Sequence, residues 1–240
     1  VLVQDTFTSH FETQLVLDTA ELIRALGFIP FVAPYLSNGK SLHVTGYLDR
    51  FRSVASRNAR MLRALSESGV PLVGLDPAVT LTYRSEYPRA LGVKEAPKVH
   101  MLQEWLTGAA VDIAAGKPTS SYSLLLHCTE KTNAPASANA WRQVFERFGL
   151  SLRLPDVGCC GMSGAYGHEK RHRETSERIY DLSWRAHTAD EQPGETLLAT
   201  GYSCRSQVKR FDGKRLFHPA QALLREIKGR SMTSIERPGA

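Results

Sequence analysis

Ser123-Leu124-Leu125-Leu126-His127-Cys128 is an apolar run that ends on a cysteine. Further on, Phe148-Gly149-Leu150-Ser151-Leu152-Arg153-Leu154 closes one helical stretch and opens a second apolar run. Between them, Trp141, Phe145 and Phe148 recur at helical spacing, which predicts a helix over about Ala136 to Phe148 with these rings in the core. Gly149 supplies the stop. The expected order is strand Ser123 to His127, helix, strand Leu150 to Leu154, loop, helix about Glu169 to His187, and strand Thr196 to Ala199. Strands that alternate with helices predict an α/β fold with parallel sheets covered by helices, because a parallel crossover needs a dozen or more residues.

The same order is legible upstream. Val1-Leu2-Val3 reads as a strand, about Phe11 to Leu26 as a helix with Leu15, Leu22, Ile23 and Leu26 on one face, and Gly27 as its stop. A strand over Phe28 to Val32, a loop over Pro34 to Gly46, a helix over about Tyr47 to Ser68 and a strand over Leu72 to Leu75 follow. Asp5 then aligns with Cys128, Gly27 with Gly149, Ser37-Asn38-Gly39 with Cys159-Cys160-Gly161, and Val79 with Cys204. The expected architecture is therefore two tandem pseudo-symmetric repeats: 1–97, without cysteine; 98–121, a linker and a bridging helix over Val99 to Ala114; 122–230, with all the cysteines; and 231–240, a loose tail. Tyr87-Pro88 to Pro97 reads as part of the linker.

All four cysteines fall in the second half, two of them adjacent in Val157-Gly158-Cys159-Cys160-Gly161-Met162-Ser163-Gly164. Cys128 ends one expected strand, Cys159 and Cys160 follow the next, and Cys204 follows the third. In a parallel sheet the loops after the carboxyl ends of the strands build the site. All four thiols are thus expected to converge, with Gly161 and Gly164 letting the loop bend round what they hold. Adjacent cysteines in an extended loop point apart, which suits a polynuclear iron–sulfur centre. Zinc is the alternative, although paired zinc ligands are usually spaced by two to four residues. A vicinal disulfide would be strained and would leave Cys128 and Cys204 unused. The amino end of the following helix, with His168, Lys170, Arg171 and Arg173, offers positive charge or a solvated face. His127 and His218 read as hydrogen-bonding structural residues, with ligation the alternative for His127.

Composition narrows the partners. The net charge is +6, but acids sit among the bases, as in Arg171-His172-Arg173-Glu174, and no aromatic-interleaved basic stripe appears. No nucleic-acid partner is expected. No apolar run approaches the roughly 20 residues of a membrane span, and no signal peptide opens the sequence, which reads as a piece of a longer protein in the cytoplasm, with the inner face of the membrane as a peripheral alternative. No Gly-x-Gly-x-x-Gly, Walker or Gly-x-Ser-x-Gly motif is present, so no catalytic residue and no flavin, nicotinamide or ATP site is assigned.

Cys128, Cys159-Cys160-Gly161 and Cys204, with His218-Pro219 before the last helix and Asp76-Pro77-Ala78-Val79 in the first half, resemble the second repeat of the cysteine-rich CCG domain. That domain occurs in heterodisulfide reductase and in the iron–sulfur subunits of glycolate oxidase and anaerobic glycerol-3-phosphate dehydrogenase. His127-Cys128-Thr129-Glu130 and Gly201-Tyr202-Ser203-Cys204-Arg205-Ser206-Gln207 look most like the C-terminal domain of FAD-linked oxidases related to D-lactate and D-2-hydroxyglutarate dehydrogenases. The resemblance implies an electron-transfer role, with FAD on a separate domain of the same polypeptide and an external electron acceptor as partners. The family pattern ends in Cys-x-x-Cys, and Gly201 stands at its first cysteine. Four thiolates, Cys128, Cys159, Cys160 and Cys204, are then left for one [4Fe-4S] cluster. A docking module that binds zinc or no metal is the competing class.

Overall fold

In a computed structural model of the chain, the described residues are 1–110, 120–189, 192 and 194–235. The first half runs β1 (Leu2–Val3), α1 (Thr6–Phe11), α2 (Thr13–Ala25), α3 (Lys40–Val44), α4 (Leu48–Ser66), β2 (Leu72–Gly74), α5 (Pro77–Thr80), α6 (Thr82–Leu91), β3 (Val99–Met101) and α7 (Leu102–Gly108). The second runs β4 (Ser121–Leu125), α8 (Cys128–Asn133), α9 (Ser137–Arg147), β5 (Ser151–Arg153), α10 (Arg173–Asp181), α11 (Trp184–Ala189), β6 (Glu195–Ala199), α12 (Tyr202–Asp212) and α13 (Pro219–Ile235).

The strands form two three-stranded parallel sheets, ordered β1-β2-β3 and β5-β4-β6. Single parallel bridges extend each by one position, Val32 beside Leu2 and Phe217 beside Leu198. The α/β class with helix-covered parallel sheets is as expected from the sequence.

Alternation along each strand assigns the layers, since neighbouring residues face opposite sides of a sheet. Leu2, Val73, Tyr122, Leu124, Leu126 and Leu198 all enter one central core, where α2, α7, α9 and α13 bring Leu15, Leu22, Leu106, Trp141, Phe145 and Leu223. Val3, Leu72 and Val99 face the other way, onto Phe51, Leu62, Tyr83 and Tyr87 of α4 and α6. Leu125, Leu197 and Ala199 likewise face Tyr180, Trp184 and Val208 of α10, α11 and α12. The two sheets thus share a helical middle layer, and each fully buried leucine there contributes roughly 1.5–3 kcal/mol. Trp141, Phe145 and Phe148 are core side chains, as their spacing implies.

Several elements differ from the sequence reading. Val99–Met101 is a strand paired with β2, not the start of a bridging helix, and the helix covers Leu102–Gly108. Ala110 is outside that helix, and 111–119 lie outside the described residues. Tyr87-Pro88 sits inside α6, because the buried Tyr87 side chain donates from its hydroxyl to the Asn38 carbonyl at 2.9 Å and anchors the helix across the proline. Phe28 to Val32 pairs only at Val32. The helix expected over about Phe11 to Leu26 is α2, and a short helix that was not expected, α1, precedes it, capped by Asp5 through the amides of Phe7 and Thr8 at 2.7 and 2.9 Å. The tail expected to be loose is helical as far as Ile235, and 236–240 lie outside the described residues.

Candidate metal centre

The carboxyl ends of β4 and β6 lead directly into helix starts that carry thiols. Cys128 is the first residue of α8, with His127 as its cap, and Cys204 is in the first turn of α12, capped by Gly201. Cys159 and Cys160 lie in the loop after β5. The fold brings all four together: Cys128 interacts with Cys159, Cys159 with Cys160, and Cys160 with Cys204. Cys160 and Cys204 are buried, Cys128 and Cys159 partly exposed, and all are free thiols rather than disulfides.

Contact among the sulfurs splits their acidities. The thiols of Cys128 and then Cys160 stabilise Cys159 as the thiolate, with the Gly161 amide adding a contact of 3.4 Å to its sulfur. Cys128 and Cys160 are pushed up in turn, first by Cys159 and then, for Cys160, by Cys204; burial adds to both. Interacting thiols with split acidities are a soft donor set.

The loop that carries Cys159 and Cys160 is pinned from three sides. Gly158 donates its amide to Ser183 Oγ at 2.6 Å and accepts from Trp184 Nε1 at 3.0 Å. Gln207 Nε2 donates to the Cys160 carbonyl at 2.9 Å, and Ser176 Oγ to the Gly161 carbonyl at 2.8 Å. Gly161 has φ +84°, and a Cβ there would meet the Ser176 carbonyl oxygen at 2.2 Å, so only glycine fits. Gly164 also has positive φ, +67°, but it is exposed and faces open space. It turns the loop without packing against it.

The expected long helix after this loop is interrupted. Two short 3₁₀ turns precede α10, and a break at Leu182-Ser183 separates α10 from α11. That break is what frees Ser183 and Trp184 to hold Gly158. His168, Lys170 and Arg171 are exposed on the turns and Arg173 is exposed at the start of α10, so they form a solvated face.

A buried carboxylate positions the strand ends. Glu130 accepts from Gln103 Nε2 at 3.0 Å, Trp141 Nε1 at 3.1 Å, Thr200 Oγ1 at 2.5 Å and the Ser137 hydroxyl, while burial pushes its pKa up. Thr200 Oγ1 also accepts the His127 amide at 3.0 Å, which ties β4 to β6 beside Cys128. His127 Nδ1 accepts the Thr129 amide at 3.1 Å, and Nε2 lies 3.1 Å from Ser203 Oγ, so neither nitrogen is free for a metal. His218 is fully buried, caps α13 by accepting the Ala220 amide at 3.1 Å and packs on Trp141. None of Glu130, Thr200, Ser176, Ser183, Trp184 or Gln207 was singled out from the sequence as a supporting residue. Glu130 and Gln207 fall within the cysteine-bearing segments quoted above, whereas Ser183 and Trp184 lie far from any cysteine along the chain and carry no sequence signal.

The first sheet faces this site with other chemistry. Asp5, Asn38 and Asp76 stand at its carboxyl edge, and Asp76 Oδ2 accepts the Tyr202 amide at 2.9 Å across the two halves. Arg205 donates to Glu12 at 3.0 Å from Nε and again from Nη2, making a second tie.

Among the described residues, no three or more His, Cys, Asp or Glu side chains form a group that could hold a single metal ion. Cys128 interacts with Cys204 as well as with Cys159, so the four thiols form one mutually interacting set. A polynuclear cluster asks for one sulfur on each of several metal atoms rather than four sulfurs about one point, so the all-thiol donor set fits iron–sulfur chemistry.

No family model matches the chain. It is 52% identical over 224 residues to D-2-hydroxyglutarate dehydrogenase of Pseudomonas putida, an alignment that takes in 93% of this chain and 22% of that enzyme. D-2-hydroxyglutarate dehydrogenase of Escherichia coli is 44% identical over 95% of the chain and, again, 22% of the enzyme. This chain is similar to one part of those dehydrogenases. It spans about a fifth of the length of these curated relatives. A more distant likeness, 25% identical, joins 92% of the chain to 57% of one polypeptide of the anaerobic glycerol-3-phosphate dehydrogenase of Escherichia coli. No helix among the described residues is long and apolar enough to cross a membrane.

Proposed function

We propose that this chain is the C-terminal iron–sulfur part of a larger FAD-linked oxidoreductase in the cytoplasm, which oxidises a D-2-hydroxy acid such as D-2-hydroxyglutarate. The observation that carries the reading is the meeting of Cys128, Cys159, Cys160 and Cys204 from three chain segments at the carboxyl ends of one parallel sheet. The dehydrogenases it resembles support the substrate class, and its span of about a fifth of their length supports a separate flavin domain. In this reading, oxidation of the hydroxyl to a carbonyl releases two electrons and two protons on the flavin domain. A [4Fe-4S] cluster, when bound here, supplies one-electron redox chemistry between that flavin and an external acceptor.

This chain's residues then have three tasks. The four thiolates hold the cluster; Gly161, Ser176, Ser183, Trp184 and Gln207 fix the loop; and the first sheet covers the site. The first half supports a second, cysteine-free copy of the unit. Asp76 caps α5 as Gly201 caps α12, three residues before Val79 and Cys204, and Asn38-Gly39 places a glycine of φ +79° where Cys160-Gly161 places one of φ +84°.

The test is iron and acid-labile sulfide in chain purified without oxygen. About four iron atoms per chain with broad absorbance near 400 nm are expected for the cluster. Stoichiometric zinc without iron would replace this reading with the docking module.

A further inference from the structure

We infer that His127 is a positioning residue that acts through Ser203 on the sulfur of Cys204, and that Gly201 is glycine to make room for it. The inference deepens the iron–sulfur reading and rests on it. Backbone amides only donate, so the Thr129 amide at 3.1 Å fixes Nδ1 of His127 as an acceptor. In the neutral ring the proton is then on Nε2, which donates to Ser203 Oγ at 3.1 Å. That leaves the Ser203 hydroxyl proton to point at Cys204 Sγ, 3.9 Å away. The result is a directed chain from the cap of α8 to a thiol on α12.

Gly201 supplies an independent observation. Its φ of −91° and ψ of 138° are open to any residue, so backbone freedom does not explain a glycine there. A Cβ at this position would lie 2.3 Å from Cδ2 of the His127 ring and 3.0 Å from Cγ. Any side chain would therefore push the imidazole away from Ser203. A hydroxyl that donates to a thiolate withdraws electron density from it and favours the more negative, reduced state of a cluster on that sulfur.

Two measurements on the whole chain test this. In metal-free, reduced chain with ¹⁵N-labelled histidine, His127 should show the neutral Nε2–H tautomer. Its Nε2 signal should shift in Ser203→Ala and stay in place in Ser203→Thr. In chain reconstituted anaerobically with iron and sulfide, Ser203→Ala and Gly201→Ala should both move the midpoint potential lower at unchanged iron content, and Ser203→Thr should restore it.

An Nδ1–H tautomer, or a potential indifferent to Ser203→Ala, would overturn the inference. So would loss of iron in His127→Gln with Ser203→Ala silent, since His127 would then be a ligand. Wild-type chain that takes up no iron would instead sink the cluster reading, and the ¹⁵N experiment would still decide whether the hydrogen-bond chain exists.

Discussion

Arg205 reaches from the first turn of the thiol-bearing helix α12 to Glu12, 193 residues earlier, and grips it with two guanidinium nitrogens. Its remaining nitrogen donates to the carbonyls of Ala199 and Thr200 at 2.8 and 2.9 Å, so the end of β6, the start of α12 and the α1–α2 junction are locked together. Arg205 is buried and Glu12 partly exposed, so removing Glu12 strands a buried guanidinium. Glu12→Ala is expected to lower unfolding free energy by about 2–4 kcal/mol, with Glu12→Gln milder because it keeps an acceptor. Urea unfolding of the three proteins, monitored by circular dichroism, measures the order.

Asp5 gives the first half a pH signature. Burial, and then the charge of Asp76, push its carboxyl up from the ordinary 3.8 to about 6. The folded chain therefore binds more protons than the unfolded chain between those values, and this group's contribution to stability falls as pH rises from about 4 to about 6. Asp5→Asn keeps an acceptor for the amides of Phe7 and Thr8 without the charge. Its stability relative to wild type should improve by up to about 2 kcal/mol on going from pH 4 to pH 7. Parallel urea titrations at the two pH values would show it, and an unchanged difference would contradict the burial argument.

The two loop glycines should respond differently. Gly161→Ala combines positive φ with a Cβ 2.2 Å from a backbone oxygen, so the loop must move and metal retention should collapse. Gly164→Ala meets nothing within 4 Å and carries only the strain of positive φ, about 1 kcal/mol. Iron per chain after anaerobic gel filtration separates them, with far-ultraviolet circular dichroism confirming that both remain folded.

In the longer oxidoreductase proposed above, Cys160→Ser or Cys204→Ser should leave flavin reduction by substrate intact and abolish turnover with the external acceptor. Rapid-mixing absorbance of the flavin, set beside steady-state acceptor reduction, measures the two steps separately. Acceptor turnover at the wild-type rate in either variant would refute the relay.

Periodicity made the second half easy to read. Apolar runs at Ser123 to His127, Leu150 to Leu154 and Thr196 to Ala199 fall within two residues of β4, β5 and β6; the central strand β4 is buried on both faces, whereas β5 is an edge strand with Ser151 and Arg153 exposed. Val99–Met101 escaped detection because a three-residue strand with a histidine in the middle carries little pattern, and it gains its place only by pairing with β2. Pro88 read as punctuation, yet the tertiary anchor of Tyr87 outweighs the one hydrogen bond that a proline removes. The break at Leu182-Ser183 was invisible for a related reason. Its benefit lies in holding Gly158, on a different segment.

By itself the sequence determined the alternation of strands and helices, the parallel class and the four thiols as the residues of interest, since each follows from local spacing. Tertiary structure alone decided that two sheets share one helical layer, that neighbouring thiols push the Cys159 acidity in the direction opposite to those of Cys128 and Cys160, and that the imidazole of His127 fills the space beside Gly201. Hydrogen bonds, burial and steric exclusion act between atoms brought close by folding, and separation along the chain does not encode them.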